Sequence, residues 1–284
     1  MARTVVVTGA SSGIGLVAAI TLARRGDEVV LLGRDPGRLW HAVDAVRRAG
    51  GRTPAAYLAD FTVLDEVREV AAKVIADHDR IDVLANNAGQ LAGVRHRTVD
   101  GFDATMQANH LGGFLLTNLL LDRLRVAATP EAPARIITTT SLAEAWGTLR
   151  VAQPGRRQPM SWLAYGASKQ ANILFTVEAA RRWTGQGVVP TCYFPGLVHS
   201  RFGHASSLFG LAKLAPGLFR TAEQGADTLV WLATDEAGLV PGGYFAWRRR
   251  FSATGRSTDP TRARQLWDAS LKAVGLPPDP GPLP

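Results

Sequence analysis

Short apolar runs alternate with longer stretches in which apolar side chains recur every three or four positions, from the first residues onward. Thr4 to Val7, Val29 to Leu32, Ala55 to Ala59, Ile81 to Ala85, Arg135 to Thr139 and Val188 to Phe194 are β-rich and lack strict polar alternation. Strands covered on both faces have this pattern. Between them Ile14–Arg25, Arg38–Ala49, Leu64–Asp77, Phe102–Arg125 and Trp162–Trp183 carry helical spacing. The alternation predicts an α/β fold, a doubly wound parallel sheet of about seven strands with helices on both faces and Gly243 to Trp247 as the last strand.

Two stretches interrupt the rhythm. Gly147 to Ser161, with two prolines and paired arginines, reads as a loop. His199 to Arg220 follows a Pro-Gly pair, is rich in small and apolar residues, and suits a lid helix. Pro277 to Pro284 holds five prolines and reads as a disordered tail, leaving residues 1–276 as a single domain.

Composition narrows the setting. A chain of 284 residues can bury a large core without disulfide or metal. Its one cysteine, Cys192, cannot form an internal disulfide, and no Cys/His cluster has zinc spacing, so a reducing cytoplasm is expected. No secretory leader or span-length apolar run is seen, so no membrane anchor is expected. The formal charge of +8 comes from arginines scattered in pairs, with one cluster at Arg248 to Arg250. Without a basic stripe interleaved with aromatics, no nucleic-acid partner is expected.

The first strand runs into Thr8-Gly9-Ala10-Ser11-Ser12-Gly13-Ile14-Gly15 and then a helix. Glycines at this junction let the backbone turn tightly and approach a pyrophosphate resting on the helix N-terminus. Three glycines alone are weak; their place between first strand and first helix gives them weight. After the second strand, folds that take NAD often carry an acidic residue for the ribose. Here Gly33 occupies that place and Arg34 follows. A glycine leaves room for a 2′-phosphate and a guanidinium can grip one, which favours NADP(H) over NAD(H). Asp35 is either a ribose ligand or the cap of the helix beginning near Pro36.

Tyr165 and Lys169 stand one helical turn apart on one face. A nearby ammonium favours phenolate, as acid–base catalysis by tyrosine requires. Such a pair recurs by chance, and its company gives it meaning. Thr138-Thr139-Thr140-Ser141 ends the fifth strand, with Thr140 competing with Ser141 as the donor to a carbonyl oxygen. Asn86-Asn87-Ala88-Gly89 ends the fourth strand, and Asn109 lies in the following helix, where it could serve a kink.

With Pro195-Gly196 these motifs occur in the order and approximate spacing of the short-chain dehydrogenase/reductase family, which the chain resembles over about residues 3–275. Thr98 to Phe102, Asn109 to Gly112, Phe114 to Thr117, Asn172 to Thr176 and the 24-residue separation of Ser141 from Tyr165 are similar to its retinol-dehydrogenase-like branch. The resemblance implies a Rossmann-type domain that interconverts a lipophilic carbonyl and alcohol, with Ser141, Tyr165, Lys169 and Asn109 as the catalytic four. It implies that Gly9, Ser11, Gly13 and Ile14 line the pyrophosphate, Asp60 meets the adenine, Asn87 lies near the cofactor, and Pro195 and Val198 flank the nicotinamide. Ser12, Gly15, Ala88, Gly89 and Gly196 join Arg34, Tyr165 and Lys169 among the expected cofactor contacts. Ser200 stands where the family often has threonine. A homodimer or homotetramer built on Phe102–Arg125 and Trp162–Trp183 is the family's habit. Two other functions fit the fold: a non-catalytic NADP sensor, which would not need the Tyr-Lys pair, and a sugar-nucleotide epimerase or dehydratase, which would need more chain after Pro195.

Overall fold

The computed structural model describes residues 2–92, 97–198 and 219–278. Its strands are β1 (Thr4–Thr8), β2 (Glu28–Gly33), β3 (Ala55–Leu58), β4 (Val83–Asn86), β5 (Ala134–Thr139), β6 (Val188–Phe194), β7 (Gly243–Ala246) and β8 (Arg249–Arg250). They form one sheet in the order β3-β2-β1-β4-β5-β6-β7-β8. Every neighbouring pair is parallel except β7 with β8. The helices are α1 (Gly13–Arg24), α2 (Pro36–Gly50), α3 (Leu64–Asp77), α4 (Ala104–Met106), α5 (Gly112–Leu119), α6 (Leu121–Ala127), α7 (Ser161–Trp183), α8 (Ala222–Thr234), α9 (Gly255–Thr258) and α10 (Pro260–Ala273).

β1 shows why its sequence does not alternate. Val6 joins the core beneath α3, α5 and α7, while Val5 and Val7 join the core beneath α1, α2 and α8. Both faces are dry, so apolar β-branched residues fill every position. Polar signals then start the helices. The Asp35 carboxylate accepts from the Arg38 N–H at 2.8 Å ahead of Pro36, and Asp259 does the same for Arg262 ahead of Pro260. Asp35 is therefore a helix cap, and backbone and side-chain bonds from Arg38 hold its carboxyl below the usual range.

The single helix expected over Phe102–Arg125 is broken. Asp103 caps α4 through the N–H groups of Thr105 and Met106, and Gln107–Leu111 forms a π segment before α5. α6 begins only after Leu120. Thr117 and Asn118 donate back to the carbonyls of Gly113 and Phe114, a pattern that bends helices. The last strand also stops one residue short of expectation. Trp247 and Arg248, at φ 53° and 58°, make the turn into β8. Hairpin turns of this conformation favour Asn and Gly, so Trp-Arg gives no hint of the eighth strand.

α10, for which the sequence pattern gave no expectation, lies on α7. Trp267 is fully buried there, its ring stacked on Phe175 at 5.8 Å and edge-on to Phe114 and Trp183, each at 5.1 Å. The Arg182 guanidinium lies 4.7 Å from its centroid. α10 thus covers part of the helical face expected to meet another subunit. Apart from Phe219 and Arg220 the expected lid helix lies outside the described residues, as do Ser200 and most of the tail. Trp267→Ala is expected to lower the unfolding free energy by roughly 3–5 kcal/mol in a denaturant titration. A loss below about 1 kcal/mol would show that α10 docks without this side chain.

Candidate active site

Sheet order reverses between β1 and β4, and at that switch point the carboxyl ends of the strands open onto a crevice of about 920 Å³. Gly9, Ser11, Ser12, Gly13, Ile14, Arg34, Asp60, Asn87, Ala88, Gly89, Ser141, Tyr165, Lys169, Pro195, Gly196 and Val198 all line it. Gly15 and Asn109 do not.

The turn at its floor is held by β4. Thr8 Oγ1 accepts from the N–H groups of Asn87 and Ala88, each at 2.9 Å, and donates to the Ala85 carbonyl. Asn87 Nδ2 donates to the Thr8 carbonyl at 3.1 Å. Gly9 and Gly13 adopt φ 66° and 56°, which side chains resist. Gly15 works beneath the turn: a Cβ there would lie 2.4 Å from the Gly9 carbonyl oxygen and 2.6 Å from Asn87 Nδ2. It allows the helix to approach the strand. Ser12 makes no side-chain cap and the first turn of α1 has no acidic residue, so its N–H groups are open to an anion. A backbone cradle, a polar wall and a crevice of this volume fit a dinucleotide.

At one end stand Gly33, Arg34 and Asp60, the residues expected to face the adenosine. A Cβ on Gly33 would meet the side chains of Leu39 at 3.1 Å and Ser11 at 3.2 Å, so the backbone here runs close to both. Arg34 Nη1 donates to Gln90 Oε1 at 3.0 Å and lies 3.6 Å from the Asp60 carboxylate. Asp60 also accepts from the N–H and hydroxyl of Thr62, which fixes its orientation. Gln90, absent from the residues singled out in sequence, is the hub of this corner.

At the other end α7 presents Tyr165 and Lys169. Gly147 and Gly166 pack backbone to backbone, a Cβ on Gly147 falling 2.5 Å from the Gly166 carbonyl, so the turn after Ser141 sits directly on the helix. Ser141 is hydrogen-bonded to Tyr165 and accepts from the Ala143 N–H at 3.2 Å. Thr140, its competitor as donor, also lines the crevice, but its hydroxyl is given to the Lys169 carbonyl at 3.1 Å. Lys169 Nζ lies 5.4 Å from the Tyr165 ring centroid and donates to the Thr139 carbonyl at 3.1 Å. Asn172 Nδ2 shares that carbonyl, also at 3.1 Å.

Asn109 stands behind this wall, in the π segment. Its Oδ1 accepts from the Gln90 N–H at 2.7 Å, and its Nδ2 donates to Ser168 Oγ at 2.9 Å. Ser168 in turn donates to the Tyr165 carbonyl at 2.7 Å. The side chain therefore braces the turn that carries Tyr165.

Burial pushes Tyr165 up to about 12, against a smaller downward pull from its bond with Ser141. It pushes Lys169 down to about 8. The expectation that the lysine lowers the tyrosine is overridden by desolvation, which favours the neutral form of both groups. Among the described residues no cluster suits a metal, and no helix is long and apolar enough to cross a membrane.

A family model for short chain dehydrogenases matches residues 3–208. The chain belongs to the short-chain dehydrogenase family. Within it the chain is retinol-dehydrogenase-like: human retinol dehydrogenase 13 is 37% identical over 286 residues, covering 96% of this chain and 85% of that one. A Streptomyces sp. (strain C5) protein, provisionally named a daunorubicin C-13 ketoreductase, is 45% identical over 276 residues, covering 96% of this chain and 93% of its own. The Pseudomonas aeruginosa RhlG/NADP active-site complex superposes with a TM-score of 0.70 at 27% identity, over 86% of this chain and 93% of that one. The short-chain dehydrogenase is an oxidoreductase of an NAD(P)-binding family acting on alcohol and ketone groups.

Lys169 is buried against one carbonyl and the Tyr165 ring, with desolvation the dominant effect, so Lys169→Met is expected to stabilise the fold at pH 7. The gap between 10.5 and about 8 corresponds to about 3 kcal/mol. Below pH 8 the lysine is charged in both folded and unfolded chains, and the penalty is complete. Between 8 and 10.5 the folded chain sheds the proton first, so the advantage of methionine shrinks and then vanishes. Urea titrations at pH 7 and pH 10 measure both; a methionine variant less stable than wild type at pH 7 would show that the Thr139 bond outweighs desolvation.

Proposed function

We propose that this short-chain dehydrogenase is an NADP(H)-dependent carbonyl reductase and alcohol dehydrogenase acting on lipophilic substrates, with Ser141, Tyr165 and Lys169 as its catalytic groups. The observation that carries this reading is the convergence of these three side chains on one wall of the crevice that begins at the glycine turn.

In the reducing direction a bound reduced nicotinamide supplies the hydride that the carbonyl carbon gains. The hydroxyl of Ser141 donates to the carbonyl oxygen and draws charge toward it. Tyr165, which burial keeps protonated at neutral pH, transfers its proton to that oxygen as the C–O bond becomes single. The resulting phenolate lies beside the Lys169 ammonium, which lowers its energy. Lys169 has a second use, because an ammonium in this position can hold the ribose of a bound cofactor. Asn109, through Ser168, fixes the first turns of α7. Oxidation of an alcohol runs the same transfers backwards.

NADP(H) over NAD(H) rests on Gly33 and Arg34. Gly33 brings no acidic side chain to the ribose, and Asp35 is engaged as a cap. Arg34 lines the crevice beside Gln90 and Asp60, and a guanidinium there is suited to gripping a 2′-phosphate. A lipophilic substrate is supported by exposed apolar side chains in the segments that bear the catalytic groups: Leu142 and Trp146 after Ser141, Met160 and Trp162 before Tyr165, and Leu197 after Gly196. The retinol dehydrogenase and ketoreductase names of the relatives agree with this chemistry.

Two measurements test the reading. Tyr165→Phe is expected to reduce turnover of hydrophobic ketones at least about 10³-fold while NADPH affinity, followed by nicotinamide fluorescence, stays within about twofold. Near-normal turnover in that variant would remove Tyr165 from the proton transfer. Arg34→Ala is expected to weaken NADPH at least about tenfold and leave NADH unchanged; equal weakening of both would show that Arg34 does not read the 2′-phosphate.

A further inference from the structure

The 3₁₀ turn Leu142–Trp146 that follows Ser141 carries a carboxylate, Glu144, that is 3% exposed. Nothing in the proton transfer uses it. Its neighbours come from the far end of the chain. Oε1 accepts from the Thr254 N–H at 3.0 Å, Oε2 accepts from the Thr254 hydroxyl at 2.8 Å, and Ser257 Oγ donates to the same Oε2 in a short bond. The donors are one amide and two hydroxyls. A carboxylate costs several kcal/mol to bury and is tolerated where donors meet its oxygens, and such charge-assisted bonds are short and directional. Three of them set the position of this turn more narrowly than apolar contact would.

The same C-terminal stretch grips what lies on either side. Arg256 Nη2 donates to the Gly147 carbonyl at 3.1 Å, at the end of the turn. Arg262 Nη2 donates to Gln170 Oε1 at 3.3 Å, on α7 next to Lys169. The turn packs closely on α7: a Cβ on Gly166 would lie 2.6 Å from the Ala143 carbonyl. The Ser141 turn is thus pressed onto the helix of Tyr165 from one side and tied to the C-terminal segment on the other.

We infer that Glu144 is a positioning residue for Ser141, and that Thr254 and Ser257 form with it a clamp through which the C-terminal segment sets the spacing of Ser141 and Tyr165. This rests on the catalytic role given to Ser141 above. The clamp acts on turnover and leaves the nucleotide end of the crevice alone, since none of its members lines that crevice.

The test is a double-mutant cycle on the full chain, with NADPH and 2-acetylnaphthalene as reactants. Glu144→Ala is expected to lower kcat about 10- to 100-fold, the effect of displacing a catalytic group by about 1 Å, with NADPH affinity within twofold of wild type. Glu144→Gln, which can still accept from Thr254 while its amide donates to the two hydroxyls, is expected to recover most of that loss. In a Ser141→Ala background Glu144→Ala is expected to cost less than about twofold, because the group it positions is gone. An equal loss in both backgrounds would overturn the inference, as would wild-type kcat in Glu144→Ala. Wild-type activity in Ser141→Ala alone would instead overturn the catalytic reading on which it rests. Should Glu144→Ala not fold, Thr254→Val and Ser257→Ala each remove one donor and are expected to lower kcat about threefold to tenfold; unchanged kcat in both would dismiss the clamp.

Discussion

The arrangement of this short-chain dehydrogenase depends on one constraint, the immobilisation of α7. Most of this 23-residue helix is buried, including Lys169, Gln170 and Asn172, which soluble helices usually keep at the surface. Each flanking element makes a specific attachment to it. β5 offers the Thr139 carbonyl to Lys169 and Asn172, the Ser141 turn meets it glycine against glycine, and the π segment holds its first turns through Asn109 and Ser168. α10 covers its other side with Trp267. The acid–base chemistry proposed for Ser141 and Tyr165 needs hydrogen-bond distances held to fractions of an ångström, and a helix attached to each of these elements favours that.

That burial has an electrical consequence. A tyrosine and a lysine taken out of water both shift toward neutrality, so the site that orders them also opposes the charge separation needed in turnover. The conflict is local and useful. In the proposed reaction a neutral, protonated Tyr165 is the form that would donate to a carbonyl, and the phenolate left would lie beside a buried ammonium. Coulombic attraction is stronger there than at a surface, which would stabilise such a pair once formed.

Much of this was legible in the sequence because its signals are local. The glycine turn, the Tyr165–Lys169 spacing and the hydroxyl run ending at Ser141 each lie within a few residues, and a β-rich run that does not alternate marks a strand buried on both faces. The parts that escaped depend on contacts across the chain. Asn109 is legible as a residue at a helix kink, and it lies in the π segment, but its partners Gln90 and Ser168 come from other parts of the chain. Thr140 and Ser141 are equivalent as letters; only the packing of α7 on β5 commits the Thr140 hydroxyl to the Lys169 carbonyl and sets the Ser141 hydroxyl beside that of Tyr165. The C-terminal helices were missed although Asp259-Pro260 is an ordinary start signal, because the stripe that covers α7 includes Ala263, Leu266 and Trp267 among charged neighbours and reads as weakly apolar.

The expectation of an interface on the two long helices illustrates the same limit from the other direction. A helix rich in apolar residues on several sides must be covered, and sequence alone does not say whether a second subunit or the chain itself covers it. Here Trp267, with Phe114, Phe175 and Trp183, shows that part of the cover comes from within. The choice matters for the site, because a cover made by the same chain is present at every protein concentration. Attachments that begin in α10 and in the Thr254–Ser257 segment therefore act on the catalytic helix and the Ser141 turn without waiting for association.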